Sequence, residues 1–407
     1  MSDIKKLKLM GANILLSLGG IAFALVIAEI GLRIVGISYP SFYQVDEYRG
    51  HTLIPNFSDW WISEGKGYVS INSDGLRDKE HSTTKPENSY RIAVIGDSFS
   101  EAIQVNAEET FWSAIAQQLP SCPALQGKKV EVINFGVGDY GTAQELMTLK
   151  HHVWKYSPDL VLLEIFTGND IVNNSQALSP ADRFSPFLKK ENGKFKMDLS
   201  FKETETYRRR DSFVRRFVFS VINHSRLLQV INEAKRVMNL KKEANRNLST
   251  NPANDDIIPA LDFDINLYQE SQNKDWQEAW EVTEELIKQI NTEVKSKNAD
   301  FLAVTISNPP QVYPDLKIRD AAGTLRDRLS QLGATNLFYP DERIQKLGQK
   351  KGFTVFNLAK PMQEYADKNQ VFLHGFDNTR MGVGHWNKQG HQLAGKLITQ
   401  KLCQHLL

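Results

Sequence analysis

The chain has 407 residues, 41% of them hydrophobic and 24% charged, a balance that excludes global disorder and allows a large core. Its 49 basic residues stand against 48 acidic ones for a formal charge of +1, so no bulk field recruits nucleic acid. Two cysteines are too few for a disulfide framework or a four-thiolate zinc site but enough for one disulfide.

The first element is apolar. Residues 9–28, LMGANILLSLGGIAFALVIA, carry no formal charge between Lys8 and Glu29. A helix of that length spans about 30 Å, the thickness of a bilayer's hydrocarbon core. Lys5, Lys6 and Lys8 precede it, so the positive-inside rule keeps the tip in the cytoplasm and exports the chain beyond about residue 37. Residues 1–37 are thus read as a cytoplasmic tip and single-pass anchor in the inner (plasma) membrane. A cleaved signal peptide is the rival, since Val26-Ile27-Ala28 has a loose small-x-Ala pattern. The apolar run is longer than a usual signal core, however, and IGLRIVGI continues it past Glu29. A buried core helix is the third alternative. Glu29 and Arg33 are four apart and placed to pair.

Residues 38–90 are rich in Tyr, Pro, Ser, Asn and Asp and read as an extended lead-in packed on the domain, because Trp60, Trp61, Ile62, Val69 and Ile71 need covering. From 91 to 407 strands alternate with helices. Expected strands are Arg91–Ile95, Lys129–Asn134, Asp159–Phe166, Phe301–Ile306 and Phe353–Asn357. Expected helices are Glu109–Leu119, Thr142–Tyr156, Trp276–Lys297, Asp341–Lys350 and Lys388–Leu406. This alternation predicts an α/β fold with an open, doubly wound, mostly parallel sheet, whose site lies at the carboxyl edge of the strands. Residues 178–275 break the rhythm and read as a helical insertion. It holds a basic cluster (Arg208 to Arg210, Arg215, Arg216), an amphipathic stretch near 212–240 and an Asn-rich run at 243–256. The arginines suit a solvated helix face or, next, anionic lipid headgroups.

Four short blocks follow or flank these elements. Gly96-Asp97-Ser98-Phe99-Ser100 leaves the first strand, which places Ser98 on a tight strand-to-helix turn. Asn134-Phe135-Gly136-Val137-Gly138-Asp139-Tyr140-Gly141-Thr142 leaves the second, with glycines that admit close approach of a ligand to backbone. It contains GxGxxG from Gly136 to Gly141, but it follows the second strand, and no ribose-binding acid ends the next one, so dinucleotide binding is not expected. Gly168-Asn169-Asp170 leaves the third strand, where an asparagine amide can donate to an oxyanion. Gly384-His385-Trp386-Asn387 opens the last helix, with Asn387 as its cap. A serine, an amide and a histidine at adjacent strand ends suit acyl transfer. His385 and His391 do not form a zinc helix motif, and no metal or other cofactor is expected. His151-His152 reads as surface with partial burial. Trp386 suits either pocket or core, and Arg77 and Asp78 either brace the site or pair together.

The GDSFS, glycine-rich, GND and GHWN blocks together resemble the SGNH, or GDSL-like, hydrolase superfamily. The lead-in YVSINSDGLRDKEH, the phrase YRIAVIGDSFS and the helix QEAWEVTEELIKQI resemble its membrane-anchored bacterial branch. The similarity extends over most of residues 40–405 and implies the SGNH hydrolase fold with a flavodoxin-like sheet. It implies Ser98 as nucleophile, its own N–H, a backbone N–H from Gly138 or Asp139 and the Asn169 amide as oxyanion donors, and His385 as base. Two positions depart from the family pattern. Asp139 stands where glycine is usual, and an inward carboxylate there would oppose an oxyanion. Gly382 and Val383 stand where the triad aspartate often lies. Asp377 is the nearest upstream acid; the alternative is a Ser–His dyad oriented by a backbone carbonyl. The expected function is an extracytoplasmic serine esterase acting on O-acetyl or other O-acyl groups of a glycan or small ester. An O-acyltransferase of envelope polysaccharide and a non-catalytic glycan-binding or assembly protein are the alternatives. In a flavodoxin-like order the first and last helices share a face and direction, so Cys122 and Cys403 are expected to meet in a disulfide on the side away from the site, the alternative being two buried thiols.

Overall fold

The computed structural model describes residues 2–180, 183–247, 258–261, 263–316 and 323–406, with backbone alone for 2–7, 240–247 and 259. The Lys5 and Lys6 side chains and most of the Asn-rich run at 243–256 lie outside the described residues.

Helix α1 (Ser2–Ile34) is continuous through the apolar run. Its Lys8–Ile34 portion is long and apolar enough to cross a membrane, and its most apolar window is not buried against the rest of the protein. At its C-terminal end Arg33 and Glu29 pair at 2.8 Å.

The lead-in folds into two antiparallel hairpins, β1 (Tyr43–Asp46) with β2 (Gly50–Leu53) and β3 (Ser58–Trp61) with β4 (Gly67–Ser70). Asp46 makes the first turn by accepting the Tyr48 and Arg49 N–H groups, the usual use of aspartate in a tight reversal. Phe42, Leu53, Val69 and Ile71 are buried against Ile103, Val137 and Tyr140. Trp60 does not need covering after all. It is 40% exposed and meets Tyr68 edge to face, because alternation along β3 turns it outward.

Five strands form the parallel sheet: β5 (Ser89–Ile95), β6 (Lys129–Asn134), β7 (Leu160–Ile165), β10 (Asp300–Thr305) and β11 (Thr354–Asn357). A separate hairpin, β8 (Phe187–Glu191) with β9 (Lys194–Asp198), lies in the insertion. The sheet order is β11-β10-β7-β5-β6 with every pairing parallel. Counted by these five strands alone it is 2-1-3-4-5 read from the β6 edge, the flavodoxin-like order. Every residue of β5 and β7 is buried, as expected for strands covered on both faces.

Successive residues serve opposite faces. Ile92 and Val94 pack with helices α3 (Phe111–Gln118) and α9 (Lys388–Leu406). Ala93 and Ile95 pack with α4 (Thr142–Thr148), α7 (Lys274–Ser296) and α8 (Tyr339–Lys351). The expected helix Thr142–Tyr156 is regular only to Thr148 and continues through a π turn, Leu149–Val153, and a 3₁₀ turn, Trp154–Tyr156. His151 is exposed and His152 half-buried. A Cβ on Gly395 would lie 2.5 Å from the Ala114 Cβ, so α3 and α9 cross closely because that position is glycine. Just beyond α3, Cys122 is bonded to Cys403 near the end of α9, with Cα atoms 5.6 Å apart. The insertion contains the short helix Glu205–Asp211 followed by α5 (Phe213–His224) and α6 (Arg226–Asn247). Between them these helices account for the amphipathic stretch read at 212–240.

Candidate active site

The carboxyl end of β5 turns sharply into α2 (Ser98–Glu101). Glycine is required at the turn, since a Cβ on Gly96 would lie 2.3 Å from the Glu164 carboxylate. Asp97 caps the helix by accepting the Phe99 N–H at 2.9 Å. Ser98 is the first helical residue, so its N–H has no intrahelical acceptor. Its hydroxyl lies 2.8 Å from His385 Nε2. The other ring nitrogen, Nδ1, lies 2.6 Å from Glu64 Oε2, and Glu64 Oε1 accepts the His385 backbone N–H at 2.8 Å. An Nδ1–H that donates to a carboxylate leaves Nε2 as the acceptor facing the serine.

Electrostatics reinforce that arrangement. Burial alone would depress the His385 pKa, but the hydrogen bond and charge of Glu64, with Asp97 and Glu101 nearby, raise it above the ordinary imidazole value. Burial alone would raise the Glu64 carboxyl, but hydrogen bonds and charge from His385 hold it below the usual range. The pair thus favours carboxylate and imidazolium together, the state a general base reaches after taking a proton.

The carboxylate on His385 is therefore Glu64, and the expectation for Asp377 is corrected. Asp377 is exposed in a turn. Its neighbour Asn378 reaches the site region instead: Asn378 accepts the Gly65 N–H and donates to the carbonyls of Ile62 and Gly65. It thereby clamps the β3–β4 turn that carries Glu64. Trp61 Nε1 adds a bond to the Glu64 carbonyl at 2.9 Å. Gly384 has φ +79°, and a Cβ there would sit 2.2 Å from Glu64 Oε1. Glutamate can occupy this place only because glycine precedes the histidine.

The histidine loop is fixed from behind. Gly375 N–H bonds the His385 carbonyl, and His374 Nδ1 lies 2.7 Å from the Gly384 carbonyl. Ser307 Oγ links His374 Nε2 to the Trp386 indole N–H. Burial pushes His374 down to about 4, so it serves as a neutral hydrogen-bonding group. Trp386 is completely buried and belongs to the core. His391 is also buried and stacks on Phe111. Arg77 braces the segment after the nucleophile by donating to the Glu101 and Val105 carbonyls.

Asn169 follows β7, and its Nδ2 donates to Asp97 Oδ2 at 3.1 Å; the amide has a second N–H. The expected backbone donors, Gly138 and Asp139, sit in the turn after β6, where the Gly138 carbonyl lies 2.8 Å from His51 Nε2. Asp139 has φ +64°, a conformation that explains why glycine is the easier residue there. Its carboxylate is 3.1 Å from Arg183 and largely exposed. The arginine also bonds the Asp139 carbonyl and Asn173 Oδ1. The expected conflict between this carboxylate and an oxyanion is thus relieved by a partner in the insertion.

Beneath the serine lie four carboxyl groups, Asp97, Glu145, Glu164 and Asp170, all buried. Burial pushes each of them up, and mutual repulsion adds to it for Glu145, Glu164 and Asp170. Glu101, at the end of α2, bonds the Tyr43 hydroxyl, and burial lifts it to about 7. Ser98, Asn169 and His385 open into a cavity of about 950 Å³, walled also by Trp61, Phe99, Phe166 and, from the insertion, Arg216 and Phe219. Among the described residues no three His, Cys, Asp or Glu side chains are grouped to hold a metal ion.

Glu64 and Arg183 had no signature in the sequence. Each acts across a long separation, 321 residues from Glu64 to His385 and 44 from Asp139 to Arg183. The one local trace of Glu64 is the pair Gly65 and Gly67, which lets its turn press on 103–105: added Cβ atoms would meet the Gln104 and Val105 carbonyls at 2.4 and 2.5 Å.

No family model and no curated protein matches the chain. Among solved structures it is similar to an acetyl xylan esterase, with 13% identity over 78% of this chain and 100% of that one and a TM-score of 0.36. It is also similar to a catalytic mutant of an acetylxylan esterase from Geobacillus stearothermophilus, with 8% identity over 78% and 96% of the two chains and a TM-score of 0.37. A two-domain esterase active on acetylated mannans gives 10% identity over 78% of this chain and 49% of that one, with a TM-score of 0.34.

Proposed function

We propose that the chain is a serine ester hydrolase with a Ser98–His385–Glu64 triad. The observation that carries this reading is the hydrogen-bonded series from Ser98 Oγ through both His385 nitrogens to Glu64, at 2.8 and 2.6 Å, opening into the cavity. His385 Nε2 takes the Ser98 proton as Oγ attacks the ester carbonyl. Charge collects on the carbonyl oxygen, where the Ser98 and Asp139 N–H groups and the Asn169 amide donate. The imidazolium, paired with Glu64, returns its proton to the leaving alcohol, and an acyl-serine remains. Water attacks that ester, His385 again takes the proton, and the carboxylic acid departs with Ser98 restored.

The reading extends to place and substrate. Helix α1 holds the domain at the inner membrane, and the Cys122–Cys403 bond suits an oxidising compartment outside the cytoplasm. The ester is an O-acyl group, acetyl in the simplest case, on a glycan or small alcohol. Aromatic walls beside Ser98 suit an acyl group or a sugar face, and the assembled triad argues against a purely binding role. The test is p-nitrophenyl acetate turnover by the full chain in detergent micelles, with fluorophosphonate labelling. Wild type should turn over and take one label at Ser98, with S98A doing neither. Equal turnover by wild type and S98A would refute the assignment.

A further inference from the structure

Helix α5 has two faces with different demands. Phe213, Val214, Phe217 and Val221 are 77, 69, 61 and 44% exposed. At 3.6 residues per turn these four fall within roughly 100° of the helix circumference. Arg216, Phe219, Ser220 and Asn223 wall the cavity and fall on a neighbouring arc of the same helix, also about 100° wide. An apolar stripe of that width is normally buried.

The end of this helix is tied to the end of α1. Arg33 Nη2 donates to the His224 carbonyl at 2.8 Å. Glu29 accepts from the Ser225 hydroxyl and from the backbone N–H groups of Arg226 and Leu227, capping α6. Arg226 in turn bonds Asp59 and Ser38, which locks this junction to the lead-in. All twelve residues of α5 thus lie within about 18 Å of the point where the apolar helix ends. Exposed Arg208, Arg209 and Arg210 precede the stripe, where anionic headgroups would meet them.

We propose that α5 is a second membrane contact, an interfacial helix whose stripe Phe213, Val214, Phe217 and Val221 enters the outer boundary of the bilayer that α1 crosses. The occupant is lipid because the stripe is continuous with the end of an apolar helix and flanked by cations. The cavity holding Ser98 is then separated from the bilayer by the thickness of one helix. The proposal rests on α1 crossing the membrane and is independent of the catalytic reading.

The experiment uses the full chain in phosphatidylethanolamine–phosphatidylglycerol vesicles. Both native cysteines are in the disulfide, so an F217C variant offers one thiol for a bimane label. K346C, on an exposed part of α8, is the control. Position 217 is well exposed, so the substitution spares the core. Lipids carrying a nitroxide high on the acyl chain should quench the 217 label at least about twofold more than the 346 label, consistent with burial of about 5–10 Å. Iodide should quench it less. Equal iodide quenching at both positions, without lipid quenching at 217, would overturn the proposal. So would a 217 label shielded from both quenchers with F217C chains forming disulfide dimers, which would assign the stripe to a second copy. Failure of the chain to float with the vesicles would overturn the reading of α1 and this proposal together, whereas loss of ester turnover would leave both untouched.

Discussion

The carboxyl edge of the sheet and the β3–β4 hairpin contribute to the same site by different routes. At the sheet edge the functional groups are products of local chain geometry. Gly96 permits the turn, Asp97 caps it, and Ser98 is left at a helix start where its N–H has no intrahelical acceptor; Asn169 sits just before the short helix that follows β7, with its side-chain amide on Asp97. The hairpin gives Glu64 by docking, through Asn378, the Gly65–Gly67 approach to 103–105 and the space at Gly384. In the proposed mechanism such a site keeps its nucleophile and oxyanion donors at the edge of the rigid sheet and draws the group that orients its base from a segment added outside it.

The sharpest test of the sheet-edge half is removal of the proposed nucleophile. S98A should lower kcat for acetyl ester hydrolysis by about 10³–10⁶, with H385A close to it, because members of a triad act as a unit. A far smaller loss would mean that the sheet edge does not carry the chemistry.

The hairpin half is tested by E64Q against D377A. E64Q keeps the size of the side chain and removes its charge, and kcat should fall by about 10²–10⁴. D377A should leave kcat and KM unchanged. The pH profile separates orientation from mere packing. In wild type the raised His385 pKa means that the base is protonated, and activity lost, as pH falls through a value above the ordinary 6.5. With Glu64 neutral that support disappears, so the residual activity of E64Q should show its acid limb at lower pH. An acid limb that stays in place would assign the base's counter-charge elsewhere.

What the sequence disclosed follows the same division. β5 and β7 are short apolar runs buried on both faces, and their periodicity and turn chemistry are local, so the sheet was readable, and so was the placement of Ser98 and Asn169 at its carboxyl edge, with His385 beside them. The Cys122–Cys403 pairing was readable too, because it follows from strand order. Glu64 was not, since a glutamate in a polar, turn-rich stretch is indistinguishable from a solvated one until the hairpin docks. Arg183 was hidden for the same reason, and with it the means by which Asp139 is tolerated in a left-handed turn. Asp377 was misread because sequence proximity to His385 stood in for spatial proximity.

The disulfide compares the two ends of the fold. It lies away from Ser98 and closes a loop of 281 residues. The chain-entropy argument assigns such a loop about 6 kcal/mol, and loss of a native disulfide typically costs about 2–5 kcal/mol. C122S/C403S should therefore lower the denaturation midpoint markedly while kcat at 25 °C stays at the wild-type value. A fall in kcat without a fall in stability would mean that α3 and α9 transmit strain to the site.

The smallest effect concerns the carboxyl groups under the sheet edge, which the hairpin does not touch. Glu145 is 1% exposed, and neither carboxylate oxygen has a hydrogen-bond partner among the described residues. Burial, with the charges of Glu164 and Asp97, raises its pKa well above the ordinary 4.5. It is therefore neutral in the folded chain where the unfolded chain has already ionised it. Its contribution to stability is whole below the ordinary carboxyl pKa and is lost as pH rises toward its folded value. E145Q does not titrate, so its melting temperature should decline less than that of wild type between pH 5 and pH 9, by a few degrees at most. Activity should follow the wild-type pH profile, since Glu145 does not reach Ser98, His385 or Glu64. Parallel melting curves for the two proteins across that range would mean that Glu145 is charged in the fold, and a counter-cation would then have to be found beside it.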